Sequence, residues 1–326
     1  RSYDSRLVGF TVFYPIMELG RMIASKLSLD SLIKSETGLF CVDRIYQNLD
    51  RNISKKLETA KNNGLTAVYA YEDGALETFI VAKKLGLECI YDLPIAYHTL
   101  LQELLHEEVV RKPKWAFTLG GGIYDSAKKL ERKRKELELA DTIVVASDFV
   151  RESLPRWANG KKIIQSPFGT PCSSNHFDLV DKSNNERLKI LFVGSMTQRK
   201  GLSDLFDAIK LVNSSKVELV VLGSLAAPIS FYRDQIEFTY EPTRSNDKVL
   251  ELMRTCDVFC LPSIVEGRAL VIQEAMSQGL PIIITANTGA EDLVVTEETG
   301  FLVPIRSPEA IAEKINWFLA NRTKIF

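Results

Sequence analysis

The chain has 326 residues, of which 45% are hydrophobic and 25% charged, and its formal net charge is −1. That length allows two domains, each with its own core. The near-neutral balance excludes a dedicated nucleic-acid binder, which carries a strong basic excess. No apolar run approaches a membrane span. The five cysteines (Cys41, Cys89, Cys172, Cys256, Cys260) are an odd number in a long chain, which argues against a disulfide framework. Cys256 and Cys260 would need partners to hold zinc. With only His98, His106 and His176 in the chain, Cys256 and Cys260 read as small buried hydrophobes. No signal peptide is visible, so a cytoplasmic location is expected, although the first residue is Arg rather than Met.

In chain order, Val8–Phe13 and Ala67–Tyr71 are strand candidates, and Gly74–Leu85 is a helix candidate. Glu88–Tyr91 and Thr142–Ala146 are further strands. Between them Ser126–Ala140 is a charged helix with Ala127, Leu130, Leu137 and Ala140 on one side. Its cations Lys128, Lys129, Arg132, Lys133, Arg134 and Lys135 could touch an anionic acceptor or, peripherally, the inner face of a membrane. Because Glu131, Glu136 and Glu138 interleave with them, a solvated face of i,i+4 pairs is the preferred reading. The Pro-, Ser- and Asn-rich stretch around Ser166–Arg187 divides the chain. An N-terminal acceptor-side domain is expected at 1–170, a linker at 171–187 and a C-terminal domain at 188–326.

The C-terminal domain begins with the apolar run Lys189–Val193, and Val217–Leu222, Asp257–Leu261 and Pro281–Thr285 follow. Short unalternating runs of this kind suit strands buried on both faces. Apolar stripes at helical spacing lie between and after them: Leu202, Leu205, Phe206, Ile209 and Val212; Val249, Leu250 and Met253; Ala310, Ile311, Ile315 and Phe318. The expected class is therefore α/β, with two Rossmann-like doubly wound domains. Ligands in such sheets bind beyond the carboxyl ends of the strands.

Two segments at such ends carry chemistry. In the first, a strand ends at Gly194, Ser195 follows, and Arg199-Lys200-Gly201 stands at the mouth of a helix. Free N–H groups and the dipole at a helix N-terminus favour phosphate, and two cations add to that. A basic surface loop is the plain alternative. In the second, a strand ends near Leu261, Glu266-Gly267 turns, and a helix runs from about Ala269 to Gln278. Glu266 precedes the helix and Glu274 lies more than a turn inside it. Each carboxylate can grip a vicinal diol, and the N–H groups of Arg268, Ala269 and Leu270 are expected to be free for phosphate oxygens. Two acids beside a diphosphate would repel it, so Arg199 and Lys200 must stand close. A solvent-facing Glu274 and a loop Glu266 are the alternative.

Glu266 and Glu274, with seven residues between them, resemble the E-x7-E motif of the family-four retaining glycosyltransferases of GT-B fold, also called glycosyl transferases group 1. Gly279-Leu280-Pro281, Thr288-Gly289-Ala290-Glu291-Asp292 and Thr299-Gly300-Phe301-Leu302-Val303 are similar to that family's following segments. Ala140–Ser147 resembles the end of its N-terminal domain. The resemblance implies two domains facing across a cleft. It implies that Glu274 binds the ribose hydroxyls, Glu266 the transferred sugar, and Arg199 and Lys200 the diphosphate. Gly267 to Leu270 would supply backbone N–H groups, Gly194 and Ser195 would line the site, and the loop after Gly223 would meet the base.

The implied activity is retaining transfer of a hexose-type sugar from a nucleotide sugar, UDP-glucose or a related UDP-sugar, to a glycan or lipid-linked acceptor, as in polysaccharide biosynthesis. With no Asp-x-Asp in the chain, neither a metal nor a cofactor beyond the nucleotide sugar is expected. Many family members carry Arg where this chain has Ser195, and Arg199 is the expected substitute. The family's N-terminal Gly-rich loop and its C-terminal crossing helix have no counterpart here, so both ends are expected to be trimmed. A catalytically silent nucleotide-sugar binder and a GT-B-like epimerase or phosphorylase are the alternatives. On the acceptor side Asp92, at the end of the strand Glu88–Tyr91, is the candidate, with a cap as its plain reading. His98 reads as a packing histidine and Glu72-Asp73-Gly74 as a helix start. Gly120-Gly121-Gly122 lacks the remaining marks of a dinucleotide loop.

Overall fold

The computed structural model describes residues 5–169 and 187–322. The linker expected at 171–187 lies outside the described residues except for Arg187. By its contacts the chain forms two compact units. The first takes in the described chain up to Asp92 together with Ser126–Ile143 and Gly160–Lys162. The second takes in Leu93–Asp125, Val144–Asn159 and the described chain from Ile163 on. Each contains parallel strand pairs, and the α/β class with two parallel sheets agrees with the sequence reading.

Strands β1 (Ala67–Tyr71), β2 (Glu88–Leu93), β3 (Thr142–Val145) and β4 (Lys162–Gln165) form one sheet in that order. β1 and β2 run parallel, with Ala67 opposite Glu88 and Tyr71 opposite Asp92. The strand expected at Val8–Phe13 is not formed. Ser5–Phe10 is a 3-10 helix, and Val8 and Phe10 are exposed. A short apolar run becomes a strand only beside a partner ladder, and none is formed here.

The helix expected at Gly74–Leu85 is Leu76–Lys84. Its free N–H groups are met by carboxylates from elsewhere in the first unit. Glu136 accepts from Asp73, Ala75 and Leu76 at 2.8, 3.1 and 3.1 Å, and Asp50 from Glu77 and Thr78 at 2.9 and 2.8 Å. This corrects the solvated-face reading of the charged helix, which spans Ala127–Leu139 behind a Ser126 cap. Glu136 and Lys133 are buried, with Lys133 2.9 Å from Glu72 and Arg132 2.6 Å from Asp50. Periodicity did not reveal this face because its partner acids come from remote parts of the chain. The expected i,i+4 surface pairs do occur on the other side, as between Lys135 and Glu131 at 3.5 Å.

The second unit holds β5 (Leu188–Val193), β6 (Val217–Leu222), β7 (Thr239–Glu241), β8 (Val258–Leu261), β9 (Ile282–Ile284) and β10 (Gly300–Leu302). Their order is β10-β9-β8-β5-β6-β7. All neighbouring pairs are parallel. Ile190, Phe192, Val221, Phe259 and Ile283 are fully buried, each side chain contributing about 1.5–3 kcal/mol by leaving water. The helices Leu202–Val212 and Pro308–Ala320 pack against each other. Trp115, from the 3-10 segment Pro113–Thr118, joins the same core beside Phe206, Phe231 and Tyr232. The strand order reverses between β5 and β8, so the ends of these two strands flank the switch point, where a doubly wound sheet opens a crevice. Among the described residues no helix is long and apolar enough to cross a membrane.

Candidate functional site

Both motif segments leave the sheet at the switch point. β5 ends at Val193, and the chain turns through Gly194 and Ser195. The N–H of Met196 donates to the Ser224 carbonyl at 2.9 Å, tying this loop to the one after β6. The approach demands glycine at 223, because a Cβ there would lie 1.7 Å from the Gly194 carbonyl oxygen. The phenol of Tyr240 donates to the Gly223 carbonyl at 3.1 Å. The 3-10 turn Gln198–Lys200 then leads into the helix Leu202–Val212.

β8 ends at Leu261, and the next loop is sewn to that turn: the N–H of Ile264 donates to the Arg199 carbonyl at 2.9 Å. Glu266 follows, buried, with its N–H on the Asn287 carbonyl at 3.0 Å. Its Oε1 lies 2.9 Å from Arg199 Nη1 and 2.6 Å from Lys200 Nζ. The acid and both cations of the sequence reading thus meet in one cluster. Burial pushes the Lys200 ammonium below the usual lysine range; Glu266 opposes this, and the Arg199 charge adds to it. The stem of Lys200 runs beside Gly194.

Gly267 accepts from Ser147 Oγ at 2.7 Å through its carbonyl, and the helix Leu270–Ser277 begins three residues later. One expectation needs correction. The Ala269 N–H is not free for a ligand, because it donates to the Thr288 carbonyl at 3.0 Å. The turn Ala286–Thr288 folds against the helix mouth and takes that donor. The N–H groups of Arg268 and Leu270 meet no acceptor among the described residues. The Arg268 side chain points elsewhere, forking onto Asp292 at 2.8 and 3.0 Å and onto the Gly289 carbonyl at 2.8 Å, which pins the loop that follows β9. Glu274 lies on the helix, half-buried, and accepts from Asn246 at 2.8 Å.

In the first unit, Asp92 caps nothing with its carboxylate. Tyr69 donates to it, and the Tyr71 phenol lies close by. Burial pushes the Asp92 carboxyl up, and the two phenols counter the effect. Glu72 is buried between Lys133 and Tyr91. His98 opens the helix His98–Arg111 and its ring lies beside that of Tyr97, which is the packing role expected of it. Among the described residues no group of three or more His, Cys, Asp or Glu side chains could hold a metal ion.

Sequence reasoning missed one buried cluster behind the Arg199–Lys200 turn. Glu108, Gln198 and Asp204 are completely buried and are joined there by Arg111 and Arg306. The only sequence signal was an acid, Asp204, in the apolar first turn of a helix. Glu108 and Arg306 come from segments far away along the chain.

The sequence profile of the family described as glycosyl transferases group 1 matches residues 177–325. The capsular polysaccharide biosynthesis glycosyltransferase CapM of Staphylococcus aureus is 34% identical over 138 residues, which is 40% of this chain and 36% of that protein. This chain therefore spans about a third of that relative. Among solved structures, sucrose-phosphate synthase from Thermosynechococcus elongatus superposes with a TM-score of 0.63 at 19% identity, covering 90% of this chain and 74% of that one. Anabaena Alr3699/HepE in complex with UDP superposes with a TM-score of 0.62 at 19% identity, covering 84% and 73%.

Proposed function

We propose, from the glycosyl transferases group 1 profile that matches residues 177–325 and from the GT-B fold of the solved neighbours, that the chain is a retaining hexosyltransferase that uses a UDP-sugar and a glycan or lipid-linked acceptor. The observation that carries this reading is the cluster of Glu266, Arg199 and Lys200 at the switch point, beside a helix mouth with two N–H groups that have no acceptor among the described residues. The charges suit a sugar diphosphate. Arg199 and Lys200 neutralise its phosphates, while Glu266 holds hydroxyls of the transferred sugar and keeps the cations from repelling each other. Glu274, whose present partner Asn246 is an exposed amide, accepts hydrogen bonds from the ribose diol.

In the reaction the bond between the anomeric carbon and the diphosphate oxygen breaks with oxocarbenium character. Arg199, Lys200 and the helix N–H groups stabilise the charge that gathers on the departing nucleoside diphosphate. The acceptor hydroxyl attacks from the leaving-group face, so the configuration is retained and no glycosyl-enzyme forms. Its proton passes to the departing phosphate. Asp92, held between two phenols, is the acceptor-side candidate. Polysaccharide biosynthesis is the proposed setting, in keeping with the relative from Staphylococcus aureus.

The test is a panel of nucleotide sugars screened by ligand-observed NMR, followed by mass detection of released nucleotide. A UDP-hexose should bind and release UDP in the presence of an acceptor. Binding without release from any acceptor would overturn the transferase reading in favour of a silent binder. A covalent glycosyl adduct trapped by rapid quench would overturn the proposed mechanism.

A further inference from the structure

The buried cluster behind the Arg199–Lys200 turn is built around one neutral side chain. Gln198 Nε2 donates to Glu108 Oε2 at 2.7 Å and to Asp204 Oδ2 at 3.0 Å, and its Oε1 accepts the Ser203 N–H at 3.2 Å. The backbone N–H of Gln198 donates to Thr118 Oγ1 at 3.0 Å. The amide has one allowed orientation. Flipped, its oxygen would face two carboxylates and its NH2 would face a backbone donor.

The two carboxylates are neutralised from behind. Arg111 forks onto Glu108 at 3.1 and 2.8 Å and onto Asp204 at 2.8 and 2.7 Å, while Arg306 Nε reaches Glu108 Oε1 at 2.5 Å. Burial alone would raise the Glu108 carboxyl, but hydrogen bonds from Arg111, Gln198 and Arg306 outweigh it and hold it below the usual range. Arg306 has φ of 61°, a left-handed backbone conformation that is strained for a residue other than glycine. The fold thus tolerates strained backbone where this guanidinium is delivered.

Buried ion pairs are poor stabilisers compared with apolar packing of the same volume, whereas their geometry is strict. A cage of four charged residues closed on the residue just before Arg199 and Lys200 is therefore best explained by what it holds still. We propose that Glu108, Arg111, Asp204 and Arg306 are positioning residues that act through Gln198 to fix the Arg199–Lys200 turn for a nucleoside diphosphate. This rests on the reading of that turn as the diphosphate site. A displacement of the order of an ångström in such a turn can reduce its effect by about tenfold or more.

The experiment compares the affinities of UDP and uridine, and of GDP and guanosine, by titration calorimetry on the full chain. The proteins are wild type, Arg199→Ala, Gln198→Ala, Arg306→Ala and Arg306→Lys, each with its thermal midpoint. The expected result is that Gln198→Ala and Arg306→Ala lose about tenfold in diphosphate affinity while nucleoside affinity changes by less than about twofold, with partial recovery in Arg306→Lys. A merely structural cage would lower the midpoint and leave the ratio of diphosphate to nucleoside affinity where it was. That ratio unchanged in both alanine variants, with Arg199→Ala lowering it, overturns the positioning proposal alone. Absence of diphosphate binding in wild type, or an unchanged ratio in Arg199→Ala, overturns the site reading and this proposal with it. Should Gln198→Ala fail to fold, Arg306→Ala decides, since Arg306 is half-buried at the edge of the cage.

Discussion

Glu266 meets Arg199 and Lys200 through a single oxygen, and burial loosens the hold of the Lys200 ammonium on its proton. The charged form of Lys200 is the one that binds phosphate. Because burial lowers its pKa from the ordinary value of about 10.4, that charge is lost at lower pH than in a free lysine. The expected outcome is a UDP affinity that falls as pH rises, beginning below the usual lysine range, with Lys200→Arg carrying binding to higher pH. Calorimetry across about pH 6–10 checks it. Glu274 offers a cleaner single-residue test, because it is half-buried and bonds to an exposed amide. Glu274→Ala should lose about 1–1.5 kcal/mol of donor affinity with an unchanged thermal midpoint; undiminished binding would remove Glu274 from the site. Local sequence made the meeting of Glu266, Arg199 and Lys200 legible, since all three sit on strand-turn-helix junctions, while Glu274 lies inside the helix that follows. The engaged Ala269 N–H was not legible, because its acceptor, the Thr288 carbonyl, belongs to the next loop and depends on how that loop closes.

The first-unit helix Leu76–Lys84 has its N-terminus capped by another helix, and the cap responds to pH. Burial pushes Glu136 up to about 7 from its ordinary 4.5, despite Arg132 and three backbone donors. A carboxyl with a raised folded-state pKa contributes stability that is fully present below about 4.5 and is lost as pH rises through about 7. Thermal midpoints of wild type should therefore fall over that interval relative to Glu136→Gln, and parallel profiles would contradict the assignment. Between β5 and β6 the close approach at Gly223 gives a different prediction. Gly223→Ala should cost about 1–3 kcal/mol, read from denaturant unfolding, because a backbone oxygen has to move. Strands such as β5, β6 and β8 were readable because burial on both faces leaves the apolar runs Ile190–Val193, Leu219–Leu222 and Val258–Leu261. The strand β7 was not, since Thr239–Glu241 is short and lies at the sheet edge. Val8–Phe13 shows the converse, an apolar run without a ladder to join.

At the scale of the whole molecule, the second unit is not one stretch of chain. Leu93–Asp125 precedes part of the first unit in sequence yet packs with the C-terminal sheet. Trp115 is the anchor, with its ring edge-on to Phe206, Phe231 and Tyr232 and its Nε1 donating to Gln235 at 3.0 Å. Trp115→Ala should cost about 3–5 kcal/mol. A fragment beginning at Leu188 should unfold less cooperatively than the full chain, as followed by calorimetry. Equal cooperativity would show that the segment adds nothing to the core. Composition suggested a boundary near residue 170 but did not foresee this long-range partnership, because an amphipathic segment does not name the surface it covers. During translation, Trp115 leaves the ribosome about a hundred residues before Phe231. At about 5–20 residues per second that interval is on the order of ten seconds. For that time Trp115 lacks the ring contacts of Phe206, Phe231 and Tyr232, so this segment keeps its apolar face uncovered on the nascent chain until the C-terminal sheet has been made.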